Sequence, residues 1–162
     1  MKGIDLSAGM LAIADKRMDK FSPDKRPNIK FIKGDCLSMP FKEGEFDAVT
    51  VAYGVRNFAD LPRGISEMRR VMKPGATLCI IELSEPKNKL LYGGYKLYSG
   101  ILLPLVGRVL SHDRKAYSYL PASIAAAPQR ERMERLLLDA GFSSVEYKSL
   151  TMGVVTVYFA QK

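Results

Sequence analysis

The sequence predicts an α/β fold: an open, mostly parallel sheet with helices on both faces, closed by a C-terminal antiparallel hairpin. Three observations carry this prediction. Strand-like and helix-like apolar periods alternate from the N-terminus to about residue 83. The strand-like segments end in small or polar residues, as they do where a ligand lies at the carboxyl ends of parallel strands. The last twenty residues hold two further strand patterns with a short break between them, which suits a hairpin. With 162 residues, the chain reads as a single domain, 1–162, with a helical insertion at about 88–127.

Lys2 to Asp5 is the end of a strand, and Ser7 follows as a helix N-cap whose hydroxyl can accept from a first-turn N–H. Met10, Leu11, Ile13, Ala14 and Met18 recur at helical spacing. Ser22 to Asn28, with two prolines, is a loop. "NIKFIKGD" is a strand ending at Gly34-Asp35. "LSMPFKEGEF" is a loop with a turn at Glu43-Gly44. "FDAVTVAYGV" is nearly continuous in apolar residues, which predicts a parallel strand covered on both faces. A helix runs from Asp60 or Leu61 to Met72, with Pro62 in its first turn, where a missing N–H costs little. "KPGATLCIIEL" is a turn and a buried strand. Between 88 and 108, Tyr92, Tyr95 and Tyr98 share an apolar stretch that Gly93, Gly94, Gly100, Pro104 and Gly107 break into short helices. "PQRERMERLLLDAGF" is a helix stopped by Gly141. Ser143–Leu150 and Val154–Ala160 form the closing hairpin.

Apolar residues make up 47% of the chain, enough for a core and too many for a disordered protein. No apolar run reaches the roughly 18 residues of a membrane span. The opening residues pass directly into a helix pattern with Asp15, Lys16 and Arg17, so no leader is predicted. Cys36 and Cys79 are far apart and in no metal-ligand spacing. They are read as reduced and buried, which points to the cytoplasm, and no metal site is expected. The net charge is +8. Its lysines and arginines are scattered rather than clustered, which argues against nucleic acid and suits a weak attraction to an anionic bilayer.

Several residues are candidates for chemistry. Asp5, at a strand's carboxyl end, can accept from both hydroxyls of a ribose; the alternative is an ordinary cap. Asp35 and Cys36 stand at the end of the next strand, where an acid and a backbone N–H could hold an adenine edge. Met10 could pack on the adenine face or belong to the core. In "AYGVRNFAD", Tyr53, Gly54, Arg56 and Asn57 close an apolar strand. Gly54 permits close backbone approach, and Arg56 is either functional or a solvent-facing arginine in a salt bridge. Glu82 and Ser84 end a further strand and would face the same crevice. His112, the one histidine, is read as pocket lining or surface.

"GIDLSAGML", "KGDCLSMPF", "FDAVTVAYGVRNFAD" and "RVMKPGATLCIIELSEP" resemble, in order and spacing, the ubiquinone/menaquinone biosynthesis C-methyltransferases. The resemblance extends through "YSYLPASI" to the terminal "GVVTVYFAQK". Ala76 departs from it, standing where that family usually has a second glycine. The resemblance implies a class I S-adenosylmethionine-dependent methyltransferase sheet. The implied activity is methylation of a ring carbon of a demethylated polyprenyl quinol, such as demethylmenaquinol or a ubiquinol precursor. By motif, Asp5 would hold the ribose of S-adenosylmethionine, Met10 its adenine face, and Asp35 with Cys36 its adenine edge. Tyr53, Gly54 and Asn57 would border the methionine part and the quinol, and Arg56 would be catalytic. Tyr92, Tyr95, Leu97, Ile101, Leu102, Leu105 and Val106 could line a groove for the isoprenoid tail. An enzyme with such an acceptor would sit in the cytoplasm, peripheral to the inner membrane.

The same resemblance predicts that the first strand of the fold and its glycine-rich turn are missing ahead of Met1. Two interior strands would then lose a shared neighbour. They could close up and pair directly, a second chain could fill the gap in a homodimer, or the chain is a fragment of a longer product, which is the favoured reading. A truncated, non-catalytic domain and a methyltransferase for another small hydrophobic molecule stay open as alternatives. An NAD-linked oxidoreductase is disfavoured because no glycine-rich pyrophosphate loop is present.

Overall fold

The computed structural model describes residues 1–22, 24, 28–98 and 114–162, of which 114–118 by their backbone. His112, Ile101, Leu102, Leu105, Val106, Gly100, Pro104, Gly107, Pro23 and Pro27 lie outside the described residues.

Among the described residues six strands and five helices follow one another: β1 (Lys2–Asp5), α1 (Ala8–Met18), β2 (Lys30–Lys33), β3 (Phe46–Ala52), α2 (Leu61–Val71), β4 (Met72–Leu83), α3 (Lys89–Leu97), α4 (Arg114–Ala126), α5 (Glu131–Asp139), β5 (Ser144–Leu150) and β6 (Val155–Gln161). The N-cap expected at Ser7 is in place, and the structure adds a second at Asp60. Ser7 Oγ accepts from the Met10 N–H at 3.2 Å, and Asp60 Oδ1 accepts from the Arg63 N–H at 3.0 Å.

The sheet comes in two pieces. β1 and β2 form a parallel pair, and the other four strands lie in the order β3-β4-β6-β5. β3 and β4 are parallel, and β6 runs antiparallel to both β4 and β5. Lys73, Pro74 and Gly75 do not stop β4 as a turn would. They bulge within it, so that Phe46 pairs with Met72 but Ala48 already pairs with Thr77. Gly75 takes φ +76° there, a backbone region that side chains disfavour.

Among the described residues β1 pairs with β2 alone and β3 with β4 alone, so the two strands do not close up. Among the described residues no strand lies between them. Their starts are nonetheless side by side: the Lys2 ammonium pairs with Glu45 and lies 5.6 Å from the Phe46 ring centroid. At the other end, the loop after β2 and the turn after β3 both reach the start of α2, through Leu37 and Phe58 at Gly64, so the carboxyl ends of these strands share one rim.

The core lies on one face of the four-stranded sheet. Leu78 and Ile80 of β4 and Tyr158 and Ala160 of β6 pack against Ile65 and Met68 of α2 and Met133 and Leu137 of α5. Side chains alternate across a strand, so Thr50, Cys79, Ile81, Val157 and Phe159 share the opposite face. That face is only partly covered: Thr50 is exposed, Ile81 half-buried, and Phe159 48% exposed. The expectation for "FDAVTVAYGV" is corrected accordingly. β3 is an edge strand with Val49 and Val51 turned to the core and Ala48, Thr50 and Ala52 exposed. Cys36 and Cys79 are unpaired, as expected, but half-buried rather than buried.

At the far edge of this sheet, Glu131 at the start of α5 accepts from Lys87 Nζ and from the Tyr147 hydroxyl, the latter at 2.8 Å. These donors hold its carboxyl down at about 2, with the Lys87 hydrogen bond the main cause. A carboxylate depressed in the fold stabilises it above the unfolded value and loses that contribution as pH falls toward 2. A carbon-detected NMR titration should find the Glu131 carboxyl titrating near 2, and Lys87→Met should move its midpoint up toward the ordinary glutamate range.

Candidate active site

At the carboxyl ends of β1 and β2, two aspartates adopt the same local turn. Asp5 Oδ1 accepts from the Ser7 N–H at 2.7 Å, and Asp35 Oδ1 from the Leu37 N–H at 2.9 Å. Cys36 follows Asp35 and feels the charge of both carboxylates. Burial pushes its thiol up, and the Asp35 carboxylate, then Asp5, adds to the effect. The thiol is thus held protonated, as a weak donor rather than a nucleophile. Met10, in the first turn of α1 beyond Ser7, is 56% exposed and so is not a core residue.

The carboxyl end of β3 carries the second group. Tyr53 takes φ 55°, a left-handed backbone that is costly for a bulky residue. Gly54, by contrast, has φ −115°, which any residue can adopt, although a Cβ there would stand 3.2 Å from Val51 Cγ2. The strained position of this turn is therefore the tyrosine and not the glycine. The turn brings Arg56 back under the strand end. Its Nη1 donates to the Tyr53 carbonyl at 2.7 Å and to Glu82 Oε1 at 2.6 Å, and its backbone N–H donates to Glu82 Oε2 at 3.2 Å. The Arg56 and Glu82 side chains are only 12% and 4% exposed, so this is a buried ion pair and not a solvent-facing one. The Arg56 Nε is buried and is the one buried side-chain polar atom without a partner among the described residues.

Asn57 is exposed, and its Oδ1 accepts from the Tyr119 hydroxyl at 2.9 Å, tying α4 to the turn. Beside them lies a cavity of about 440 Å³, broadly open to solvent and lined by Val55, Arg56, Phe58, Leu61, Tyr119 and Ser123 together with small residues at the end of α4. It is mostly apolar, with the arginine, the tyrosine and a serine as its polar groups.

The two groups meet at the start of α2. Arg63 Nε donates to the Leu37 carbonyl at 2.9 Å, and a Cβ added to Gly64 would clash with Phe58 at 2.3 Å and crowd Leu37 at 3.3 Å. The Asp35 loop and the Arg56 turn therefore flank the same helix end on the same rim. Asp5, Asp35 and Cys36 form one cluster, and Tyr53, Arg56 and Asn57 another. Neither aspartate lines the cavity beside Arg56. Ser84 does not face the crevice: its hydroxyl is buried between the Gly153 carbonyl and Thr156 Oγ1, both at 2.8 Å. No cluster of three or more His, Cys, Asp or Glu able to hold a metal is found among the described residues.

A family model, the ubiE/COQ5 methyltransferase family, matches residues 1–162. The chain belongs to the ubiE/COQ5 methyltransferase family. It is 46% identical over 160 residues to a demethylmenaquinone methyltransferase of Porphyromonas gingivalis, covering 99% of this chain and 64% of that protein. It is 37% identical over 155 residues to a ubiquinone/menaquinone biosynthesis C-methyltransferase UbiE of Pseudomonas putida, covering 95% and 59%. The chain thus spans about two thirds or less of the length of these curated relatives. Among solved structures, S-adenosylmethionine-dependent methyltransferases of Methanosarcina mazei and Aquifex aeolicus share its fold. The first has TM-score 0.66 at 20% identity, with 99% of this chain and 81% of that one covered. The second has TM-score 0.65 at 16% identity, with 99% and 67% covered. The α/β fold with its parallel pairs and C-terminal hairpin is that of these methyltransferases.

Glu82 was placed at the crevice from sequence, but not as what it is, the buried partner of Arg56. Two further residues of this ubiE/COQ5 chain escaped the sequence reading. Tyr119 lines the cavity from α4 through a contact 62 residues distant in sequence, which no local pattern reports. Arg130 carries no local signal either. It is buried at φ 50°, its backbone N–H donates to the Tyr158 hydroxyl at 2.6 Å, and its guanidinium donates to the Glu85 and Gly153 carbonyls. It clamps the exit of β4 to the turn between β5 and β6.

Proposed function

We propose that the chain is the larger part of a C-methyltransferase that uses S-adenosylmethionine to methylate a ring carbon of a demethylated polyprenyl quinol, acting in the cytoplasm at a bilayer surface. The observation that carries this reading is the Arg56–Glu82 pair under the carboxyl end of β3, opening onto an apolar cavity. Family membership and the names of the relatives support the substrate class.

The residues present fit the cofactor. Among the described residues Asp5 engages only its Oδ1, which leaves its second oxygen to accept from a ribose diol. Asp35, with the protonated Cys36 beside it, offers an acceptor and a donor for an adenine edge. Met10 is exposed and polarizable, free to cover a ring. When bound, the cofactor supplies an electrophilic methyl group on a sulfonium.

A phenolic ring carbon becomes nucleophilic as its hydroxyl loses the proton. Arginine stays protonated and is a poor base. The role assigned to Arg56 is to donate hydrogen bonds to the oxygen as negative charge grows on it. Glu82 fixes the guanidinium and cancels its charge at rest, so a neutral, apolar quinol can enter without displacing a counter-ion. Tyr119, Ser123 and the small side chains of α4 form the opposite wall. A polyprenyl tail resides in lipid, and the +8 net charge favours visits to an anionic surface.

Titration of the chain with S-adenosylhomocysteine in a calorimeter should give saturable one-to-one heat. Flat heats would favour the second reading, a methyltransferase-like domain that does not bind cofactor by itself. Among the described residues β1 and β3 are each paired on one side only, which speaks for that alternative. Where methyl transfer to a demethylated quinol is measurable, Arg56→Ala should lower kcat by about 10²–10³. Unchanged turnover would remove Arg56 from the mechanism.

A further inference from the structure

None of the residues of α3 is buried. Leu90 is 85% exposed and Leu97 62%, and seven residues apart they stand on one line of the helix. Leu91 and Tyr98, also exposed and seven apart, form the neighbouring line. At Gly93 and Gly94, in the middle of the helix, an added Cβ would meet nothing within 4 Å. With no side chain between them, the two leucines project furthest. Lys89 and Lys96, again seven apart, border this stripe on its other side, and the Lys96 ammonium lies 5.1 Å from the Tyr92 ring centroid. The segment Lys89–Leu97 contains no acid.

An exposed leucine line bordered by lysines and tyrosines has the chemistry of a helix lying in a bilayer interface. The apolar line enters the acyl boundary, the ammonium groups reach lipid phosphates, and the phenols sit at headgroup depth. The sign of the charge selects the occupant: a cationic rim on a chain of net charge +8 complements an anionic lipid surface and repels a second copy of itself. We propose that α3 docks this chain on anionic bilayers, laying Leu90 and Leu97 into the membrane with Lys89 and Lys96 at the headgroups. This deepens the proposed function by naming the surface through which a lipid-dissolved acceptor is met.

The test is co-sedimentation of the 162-residue chain with vesicles, without cofactor or quinol, so that its failure is distinct from a failure of methyl transfer. The chain should sediment with phosphatidylcholine–phosphatidylglycerol vesicles, less with pure phosphatidylcholine, and less again in high salt. Leu90→Glu with Leu97→Glu should lower the partition coefficient on the order of tenfold or more. Lys89→Glu with Lys96→Glu should lower it by a similar factor at low salt and little at high salt. Circular dichroism checks folding, and the lysine pair, being surface exchanges, decides the matter should the leucine pair fail to fold. Leu138→Glu on α5 should sediment like the parent chain. Sedimentation unaltered in the lysine variant or in a folded leucine variant overturns the proposal. So does a parent chain that stays in the supernatant with anionic vesicles, which would leave the face to a protein.

Discussion

Glu82→Ala lowers the unfolding free energy by about 3–5 kcal/mol, measured by urea denaturation, because it strands a buried cation. Glu82 accepts three times: from Arg56 Nη1, from the Arg56 N–H and from the Leu83 N–H. Removing it leaves Arg56 with the Tyr53 carbonyl as its sole described acceptor, in a site where its Nε already has no partner. The cost comes from the uncompensated charge rather than from the lost attraction, and a second variant separates the two. Arg56→Met with Glu82→Leu removes both charges and keeps the volume, and it should recover most of the loss. A double variant as unstable as Glu82→Ala would show that packing, not charge, dominates at this position. The double variant should also have no methyl transfer, so stability and turnover part company in it.

Leu78→Ala should cost about 3–5 kcal/mol, while Ile81→Ala should cost under about 1.5 kcal/mol. The two residues sit three apart in one strand and differ little in size. Leu78 is fully buried among Ile65, Met68, Met133 and Leu137, where deletion leaves a cavity walled by rigid elements. Ile81 pairs in register with Ala52 and Val157 on the other face and is half-buried, so little surface is removed from water there. Paired denaturation curves in one buffer measure the difference. Equal losses would mean that the second face is covered in solution, a result that size-exclusion chromatography and cross-linking would trace to another chain.

Strand and helix types were legible because local chemistry sets them. Period-two and period-3.6 apolar patterns, the cap Ser7 and the stop at Gly141 depend on neighbours a few residues away. The position of Asp5, Asp35 and Arg56 at or just beyond strand ends was legible for a related reason: polar residues that close apolar strands fall at the carboxyl ends of a parallel sheet. The motifs also carried the family, since they kept their order and spacing along the whole chain.

Other features were decided by contacts between distant segments. The core-facing side of β3 and the exposure of its other side depend on where α2 and α5 lie and on what stands beside the strand, which the run "FDAVTVAYGV" does not encode. That Arg56 is buried follows from Glu82, 26 residues on, arriving on the adjacent strand. The left-handed turn fell on Tyr53 although Gly54 is the residue with the greater freedom, because hydrogen bonds from the Tyr53 N–H to Ile81 and from Arg56 to the Tyr53 carbonyl hold the backbone there. The sequence by itself determined which residues are apolar, which are charged and in what period they recur. Tertiary structure alone decided which charges are paired and which faces are dry, since burial and pairing are properties of neighbours brought together by folding.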